Sequence, residues 1–598
     1  MVRVMPTAFR VLAAALFAFA PNILGQQLNA GAQLPEASNG VITGRVVNSA
    51  GEPLAGASVS AGPISGNAPR KTATADSHGD FKIDGLEPAL YTISASMPGY
   101  VYSFLPTPSD SPAYYRIGDS LTLTLSKGSV ITGSVTGPNG PLIGIGVFAT
   151  RVRDSEGKTL AASPGFPERR TDDRGVFRFY GLAPGAYLLS AARPRIGTIV
   201  PSAYNNDVPT YYSSATRDTA SEIIVRESDE ITADIRYRAE AGHAVSGKLT
   251  GMVESQRQFS SGMSIVLSDV RNRFEVANTG PDLADESSFA IYGVPDGEYE
   301  VSARQFLPTR EELRSQPQRV SVHGANITGI ALALAPLASI DGRLVFGNDP
   351  KVACAKRRDT AAQETIVYAR RYDPENKTGT NAKTDAPKAS LYLISYSTLG
   401  VADAKGSFTL KNLAPGSYRI DPRPPASGWY VRSIAIGAAQ TAAARAASLV
   451  AARDGITLKS GERVSGLTVT IAEGAASFRG RVTVAEGQSL PPNLRVYLVP
   501  AEKESAADVL RFFETRPDPD GSFAMGNIAP GHYWMTARVA DESEPAPVKP
   551  IRQDSALRSQ VVKEAEKARN EIQLQPCQRI VDYELRYPPP ANDNKPKT

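Results

Sequence analysis

Asp172-Asp173-Arg174-Gly175-Val176-Phe177, followed by Ala183-Pro184-Gly185-Ala186-Tyr187, is the stretch that decides the fold. An Asp that accepts from its own backbone opens a turn, Gly supplies the positive φ, and a strand starts at the Phe. Ala-Pro-Gly makes a second turn, and the next strand starts at the Tyr. The ten-residue spacing from Phe to Tyr returns at Phe81 and Tyr91, Phe289 and Tyr299, Phe408 and Tyr418, and Phe523 and Tyr533. Successive Phe residues lie 96, 112, 119 and 115 apart, while the internal spacing never slips. A period of about 110 residues is too long for a solenoid and fits one small domain per copy. The chain therefore reads as all-β, a tandem array of about five Ig-like β-sandwich modules.

Working outward, the Asp-to-Phe turn recurs as Asp76 to Phe81, Asp403 to Phe408 and Asp518 to Phe523, whereas Asp285 to Phe289 lacks the Gly. Each module opens on an alternating strand holding Gly44, Gly133, Gly247, Gly342 or Gly480. A Gly inside a strand marks a bulge or a close backbone approach. Each closes on another alternating strand, such as Leu121 to Leu125 or Leu467 to Ile471. A Tyr just after a sandwich corner can hydrogen-bond back to the turn and lock the crossover. Tyr91, Tyr187, Tyr299, Tyr418 and Tyr533 are read as such locks. Two segments depart from the repeat and read as helical insertions, Ala-rich 438–452 and amphipathic 555–574. The resulting divisions are modules at 41–128, 129–240, 241–336, 337–474 and 475–587, with a disordered Pro- and Lys-rich tail at 588–598. Short links between modules favour a semi-rigid rod of roughly 3–4 nm per module.

The N-terminus reads as an export signal. Arg3 and Arg10 precede the apolar run Val11 to Ala20, too short to span a bilayer, and cleavage is expected near Gly25-Gln26. Residues 1–25 are therefore set aside from the fold, and the mature chain is expected to be secreted or periplasmic without a transmembrane segment. The 65 basic and 61 acidic residues are interspersed, which argues against nucleic acid as partner. Cys354 and Cys577 form an even pair, either bridged or independently buried; their places at the facing poles of modules four and five favour a bridge.

Module one from Val41 to Tyr100 resembles the carboxypeptidase regulatory-like domain. The resemblance is carried by Ile42-Thr43-Gly44-Arg45-Val46, Gly51-Glu52-Pro53-Leu54-Ala55-Gly56-Ala57-Ser58-Val59, Asp76 to Phe81, Gly85-Leu86-Glu87-Pro88, Tyr91 and Pro98-Gly99-Tyr100. The other modules share its second half more weakly. The resemblance implies a transthyretin-like sandwich, grouped with carbohydrate-binding-like folds, in a bacterial exported repeat protein. It brings no catalytic residues and no cofactor.

The residues themselves offer little catalytic chemistry. His78, His243, His323 and His532 are scattered, without the His-x-x-Glu pair a zinc peptidase needs. Asp518-Pro519-Asp520-Gly521 lacks the later Glu of a calcium loop. No metal site, nucleophile elbow or phosphate loop is read. Two functions remain. The first is a non-catalytic scaffold or adhesion protein of the cell envelope, with an envelope protein or polysaccharide as partner. The alternative is carbohydrate binding through rings in the segments after the Tyr strands: Tyr100, Tyr102, Tyr114, Tyr115, Tyr211, Tyr212, Trp429 and Tyr430. The competing reading of those rings is that they cap sandwich edges or fill module junctions.

Overall fold

Module one shows the plan that the other copies repeat. The computed structural model describes residues 40–588 with interruptions, the longest at 103–113, 161–167, 193–203, 254–261, 355–360, 373–398, 438–451 and 541–550. The export signal expected at 1–25, nearly all of the helical insertion expected at 438–452 and the tail beyond Pro588 lie outside the described residues. In module one the opening strand Gly40–Asn48 is central, antiparallel to the Phe strand Asp80–Leu86 and parallel to the closing strand Ser120–Lys127. The Tyr strand Tyr91–Ser96 belongs to the other sheet, antiparallel to Ser58–Pro63. The link from Phe to Tyr therefore crosses between sheets. The same pairing of opening strand with Phe strand and closing strand holds in the other four copies. Module three differs in one respect: Glu312–Ser315 bonds to both Gly297–Phe306 and Ile327–Pro336, joining its two layers into one continuous sheet.

Each copy has its own core. In the opening strands the residues flanking the Gly alternate in and out, and both the Phe and the Tyr of every repeat point inward. Burying such a side chain contributes roughly 1.5–3 kcal/mol, so five separate cores can hold five separate folds. This is the all-β sandwich array that the repeat predicts.

Three local devices set the geometry. In the first turn the Asp76 carboxylate accepts from the backbone N–H of His78 at 2.8 Å and of Asp80 at 3.0 Å. Those bonds hold its carboxyl below the usual carboxylate range. Asp172 and Asp403 bind their turns in the same way. In module three, Asp285 accepts from Ser287 N–H at 3.0 Å, and the turn closes without a Gly.

At the corner, each Tyr hydroxyl donates to the carbonyl four residues earlier: Tyr91 to Glu87, Tyr187 to Ala183, Tyr299 to Pro295, Tyr418 to Ala414 and Tyr533 to Ala529, all between 2.7 and 2.9 Å.

The third device lies four residues after each Phe. Gly85, Gly181, Gly293, Asn412 and Asn527 all have φ between 56° and 71°, a left-handed conformation that Gly and Asn tolerate. Each sits where the pairing of Phe strand with opening strand shifts register, a β-bulge.

Two expectations need correction. The helix expected over 555–574 covers only Ser555–Ala568. Arg569 turns left-handed at φ 50° and ends it, and Glu571–Leu574 is a strand paired with Gly531–Val539. The apolar Ile572, which extended the helical pattern, belongs to the core of module five. The helix itself packs Val561 and Ala565 onto the outer face of that module, against Tyr497, Val499 and Phe512.

The second correction concerns end-to-end order. Modules one and four, which are not neighbours in sequence, are in contact. Leu90, Ile366, Tyr368 and Leu399 are buried together, with Ile64, Tyr114 and Val401 packed around them. These are outward-facing apolar residues that a strict rod would leave in water.

Candidate binding surfaces at the module junctions

Consecutive modules are tied by side-chain hydrogen bonds, several of which run from the bulge residue to backbone. Asn527 Nδ2 donates to the carbonyls of Ala426 at 2.8 Å and Trp429 at 2.6 Å, joining module five to module four. Asn412 repeats this one step earlier: its Oδ1 accepts from Glu312 N–H at 2.8 Å and its Nδ2 donates to the Arg310 carbonyl at 3.1 Å. Modules one and two are tied through Glu227, whose carboxylate accepts from Ser49 Oγ and the Lys127 N–H, both at 2.5 Å. Modules two and three are tied through Arg271, which donates to Asp218 at 2.9 Å. The one–four contact has a polar clamp beside its apolar cluster. The Arg116 guanidinium donates to the carbonyls of Glu364 and Pro424 across the junction, each at 3.1 Å.

The four–five junction is the most heavily built. Cys354 and Cys577 are bonded, with Cα atoms 5.5 Å apart. Leu510 of module five packs on the core of module four. Arg419 of module four donates to the Arg552 carbonyl at 2.8 Å. Arg552 in turn donates to the Phe512 carbonyl at 2.8 Å and lies 4.9 Å from the centre of the Phe513 ring. Burial lowers its pKa, and nearby carboxylates led by Asp421 oppose that shift. Beside these contacts a cleft of about 280 Å³ opens between the two modules, lined among others by Tyr430, Arg432, Glu473, Asp508, Arg511 and Pro530.

The eight rings singled out from sequence are all half-buried, and they are not gathered in one place. Tyr100, Tyr102 and Tyr115 pack on the core of module one. Tyr114 belongs to the one–four junction. Tyr211 pairs with Ser190 at a strand edge of module two, and Tyr212 packs on that module's core. Trp429 stands edge-on to Phe346, 5.2 Å between ring centres, within module four. Tyr430, the next residue, lines the cleft. The bulge asparagines were not singled out, although Gly, Gly, Gly, Asn and Asn at one position after each Phe was a visible signal.

The histidines lie apart. His243 is 3.2 Å from Asp296, His323 is 3.3 Å from Glu298, and His532 is 3.5 Å from Glu571. Among the described residues, no three His, Cys, Asp or Glu side chains are placed to share a metal ion. No described helix is long and apolar enough to cross a membrane.

With this geometry in hand, comparison with known proteins places the first module in a family. Residues 41–104 match the carboxypeptidase regulatory-like domain. A curated relative, Colossin-A of Dictyostelium discoideum, is 32% identical over 149 residues, which are 23% of this chain and 1% of that protein. Among solved structures, the minor pilin GBS52 of Streptococcus agalactiae is 12% identical; the match covers 36% of this chain and all of that one, with a TM-score of 0.19. The major pilin subunit BcpA of Bacillus cereus is also 12% identical, covering 50% of this chain and 99% of that one, with a TM-score of 0.13. The Bacillus anthracis TIE protein is 14% identical, covering 50% and 51%, with a TM-score of 0.14. TM-scores this low leave the fold to be argued from the sheets themselves.

Proposed function

We propose that this chain is a non-catalytic, exported scaffold of the cell envelope. In this reading it is built from five sandwich modules divided near residues 128, 240, 336 and 474. The observation that carries it is the contact between modules one and four. A scaffold must hold surfaces at set positions, and flexible linkers alone cannot do that. Here Leu90, Ile366, Tyr368 and Leu399 are buried between modules distant in sequence, and Arg116 clamps the same junction. The hydrogen-bonded ties of consecutive modules and the Cys354–Cys577 bridge favour the same reading. Export rests on the basic and apolar N-terminus, and the match of residues 41–104 to a regulatory-like rather than a catalytic domain agrees with a non-enzymatic role.

The test is a distance measurement between spin labels on exposed strands of modules one and five, joined to cell fractionation. A scaffold gives a narrow distance distribution and an envelope location. A broad distribution, or a cytoplasmic pool, would sink the proposal.

A further inference from the structure

We propose that the cleft between modules four and five is a binding site for short, uncharged oligosaccharides. The inference goes beyond a scaffold, since it assigns a ligand class to one junction.

The aromatic wall comes first. In strand Trp429–Ile436, Trp429 and Val431 are partly buried against the core of module four, and Tyr430 between them lines the cleft together with Val431. A half-buried Tyr there offers a ring face and a hydroxyl, the pair of features by which an aromatic residue meets a sugar ring.

Polar groups converge on the same space from both modules. Module four contributes Arg432 and Glu473, and module five contributes Asp508 and Arg511. Arg511 is held in place: its Nη1 donates to the Pro530 carbonyl at 3.0 Å and its Nε lies 3.7 Å from Asp508. The cleft thus has two guanidinium groups and two carboxylates, with no net charge. An anionic or cationic ligand would meet as much repulsion as attraction. A hydroxyl donates and accepts at once, so a polyol can use both kinds of wall.

Size narrows the class. About 280 Å³ lies just below the range of small-molecule pockets, which run from roughly 300 to 1,000 Å³. That is room for one or two sugar rings, with the rest of a short chain in solvent.

The walls belong to different modules, so the site depends on their alignment. Val352 and Pro576 line the cleft and flank the two bonded cysteines. The bridge therefore fixes the spacing of the walls.

Calorimetric titration of the full mature chain tests this. The ligands are short β-1,4-glucan, xylan, mannan, chitin and α-1,4-glucan oligosaccharides, with oligogalacturonate as the anionic control. The expected result is saturable binding of at least one neutral series. Binding weakens about tenfold or more in Tyr430→Ala and in the isosteric Glu473→Gln. It is retained in Tyr211→Ala, whose ring lies in module two, and it weakens in the Cys354→Ser, Cys577→Ser double variant. Near-UV circular dichroism checks that each variant is folded. Absence of binding to every neutral series, preference for the anionic control, or binding that survives both Tyr430→Ala and Glu473→Gln overturns the proposal. The spin-label distances of the scaffold test are unaffected by any of these outcomes.

Discussion

The Phe81 ring lies across Gly44. The two residues are cross-strand partners, and a Cβ on Gly44 would stand 2.8 Å from Phe81 Cζ and 2.0 Å from the carbonyl oxygen of Leu121. The same partnership joins Gly133 to Phe177, Gly247 to Phe289, Gly342 to Phe408 and Gly480 to Phe523. The Gly is thus the floor on which the Phe rests, and it lets the closing strand come close on its other side.

Gly44→Ala should therefore destabilise module one. The added methyl meets backbone as well as a ring, so the parallel closing strand has to move. Overpacking of this kind typically costs about 1–3 kcal/mol. Hydrogen exchange should rise in Gly40–Asn48 and Ser120–Lys127 and stay unchanged in module five. Equal protection in wild type and variant would show that the strand pair absorbs a methyl without strain.

The corner tyrosines predict a response to alkali. Burial pushes Tyr187 and Tyr533 up to about 12, although Arg151 and Arg511 pull the other way. The folded value lies above the unfolded value of about 10, so the fold favours the neutral phenol. Stability from these groups is complete below pH 10 and is lost as pH rises from about 10 to about 12. A two-unit shift corresponds to up to about 3 kcal/mol per Tyr at the top of that range. Denaturant unfolding at stepped pH, followed by phenolate absorbance, should show modules two and five weakening together. In Tyr187→Phe the Ala183 carbonyl loses its donor, which costs about 1 kcal/mol at neutral pH and lessens the alkaline loss in module two, where Tyr237, also pushed up by burial, remains.

The bulge residues separate two roles that a single substitution can pull apart. Asn527 provides a left-handed backbone and an amide that reaches module four. Asn527→Gly keeps the first and removes the second, whereas Asn527→Ala strains the first and removes the second. Gly should leave module five folded and loosen its junction with module four, read as a broader label distance between them. Ala should add a stability loss of about 1 kcal/mol or more within module five. A junction distance left unchanged in both variants would count against a junction role for the amide, and equal stability of the two would count against a need for the left-handed backbone.

The fold was legible because its determinants are local. The Asp-to-Phe turn, the ten-residue step to Tyr and the Gly of the opening strand each act over a few residues, and five copies made the pattern plain. The helix boundary was missed because Ile572 keeps helical phase with Val561 and Ala565, although a left-handed Arg569 stands between them. The junctions were harder for a different reason. Leu90 looks like any core residue after a turn, and nothing near it names Tyr368 as its neighbour. One signal was present: Ile366-Val367-Tyr368-Ala369 is apolar without alternation, and all four residues are buried. A strand covered on both faces reads that way. The sequence could announce a covering partner there, but not which module provides it.

That covered strand supplies the last prediction. Leu90 is fully buried in the one–four cluster yet stands apart from the core of module one. Leu90→Asp places a carboxylate against Ile366 and Leu399 with no water to solvate it. A buried unpaired charge is avoided by opening the contact, since separation returns the carboxylate to solvent. The modules should stay folded, because their own cores are untouched, while the distance between labels on modules one and four lengthens and spreads. Arg116→Ala removes two hydrogen bonds and should loosen the same contact less, by about 1–3 kcal/mol. Leu90→Ala leaves a cavity but no charge, and should fall between the two. If Leu90→Asp instead unfolds module one, as read by hydrogen exchange in Tyr91–Ser96, Leu90 is supporting the Tyr corner rather than the junction. If it changes neither distance nor exchange, the one–four contact contributes nothing to holding the modules in place.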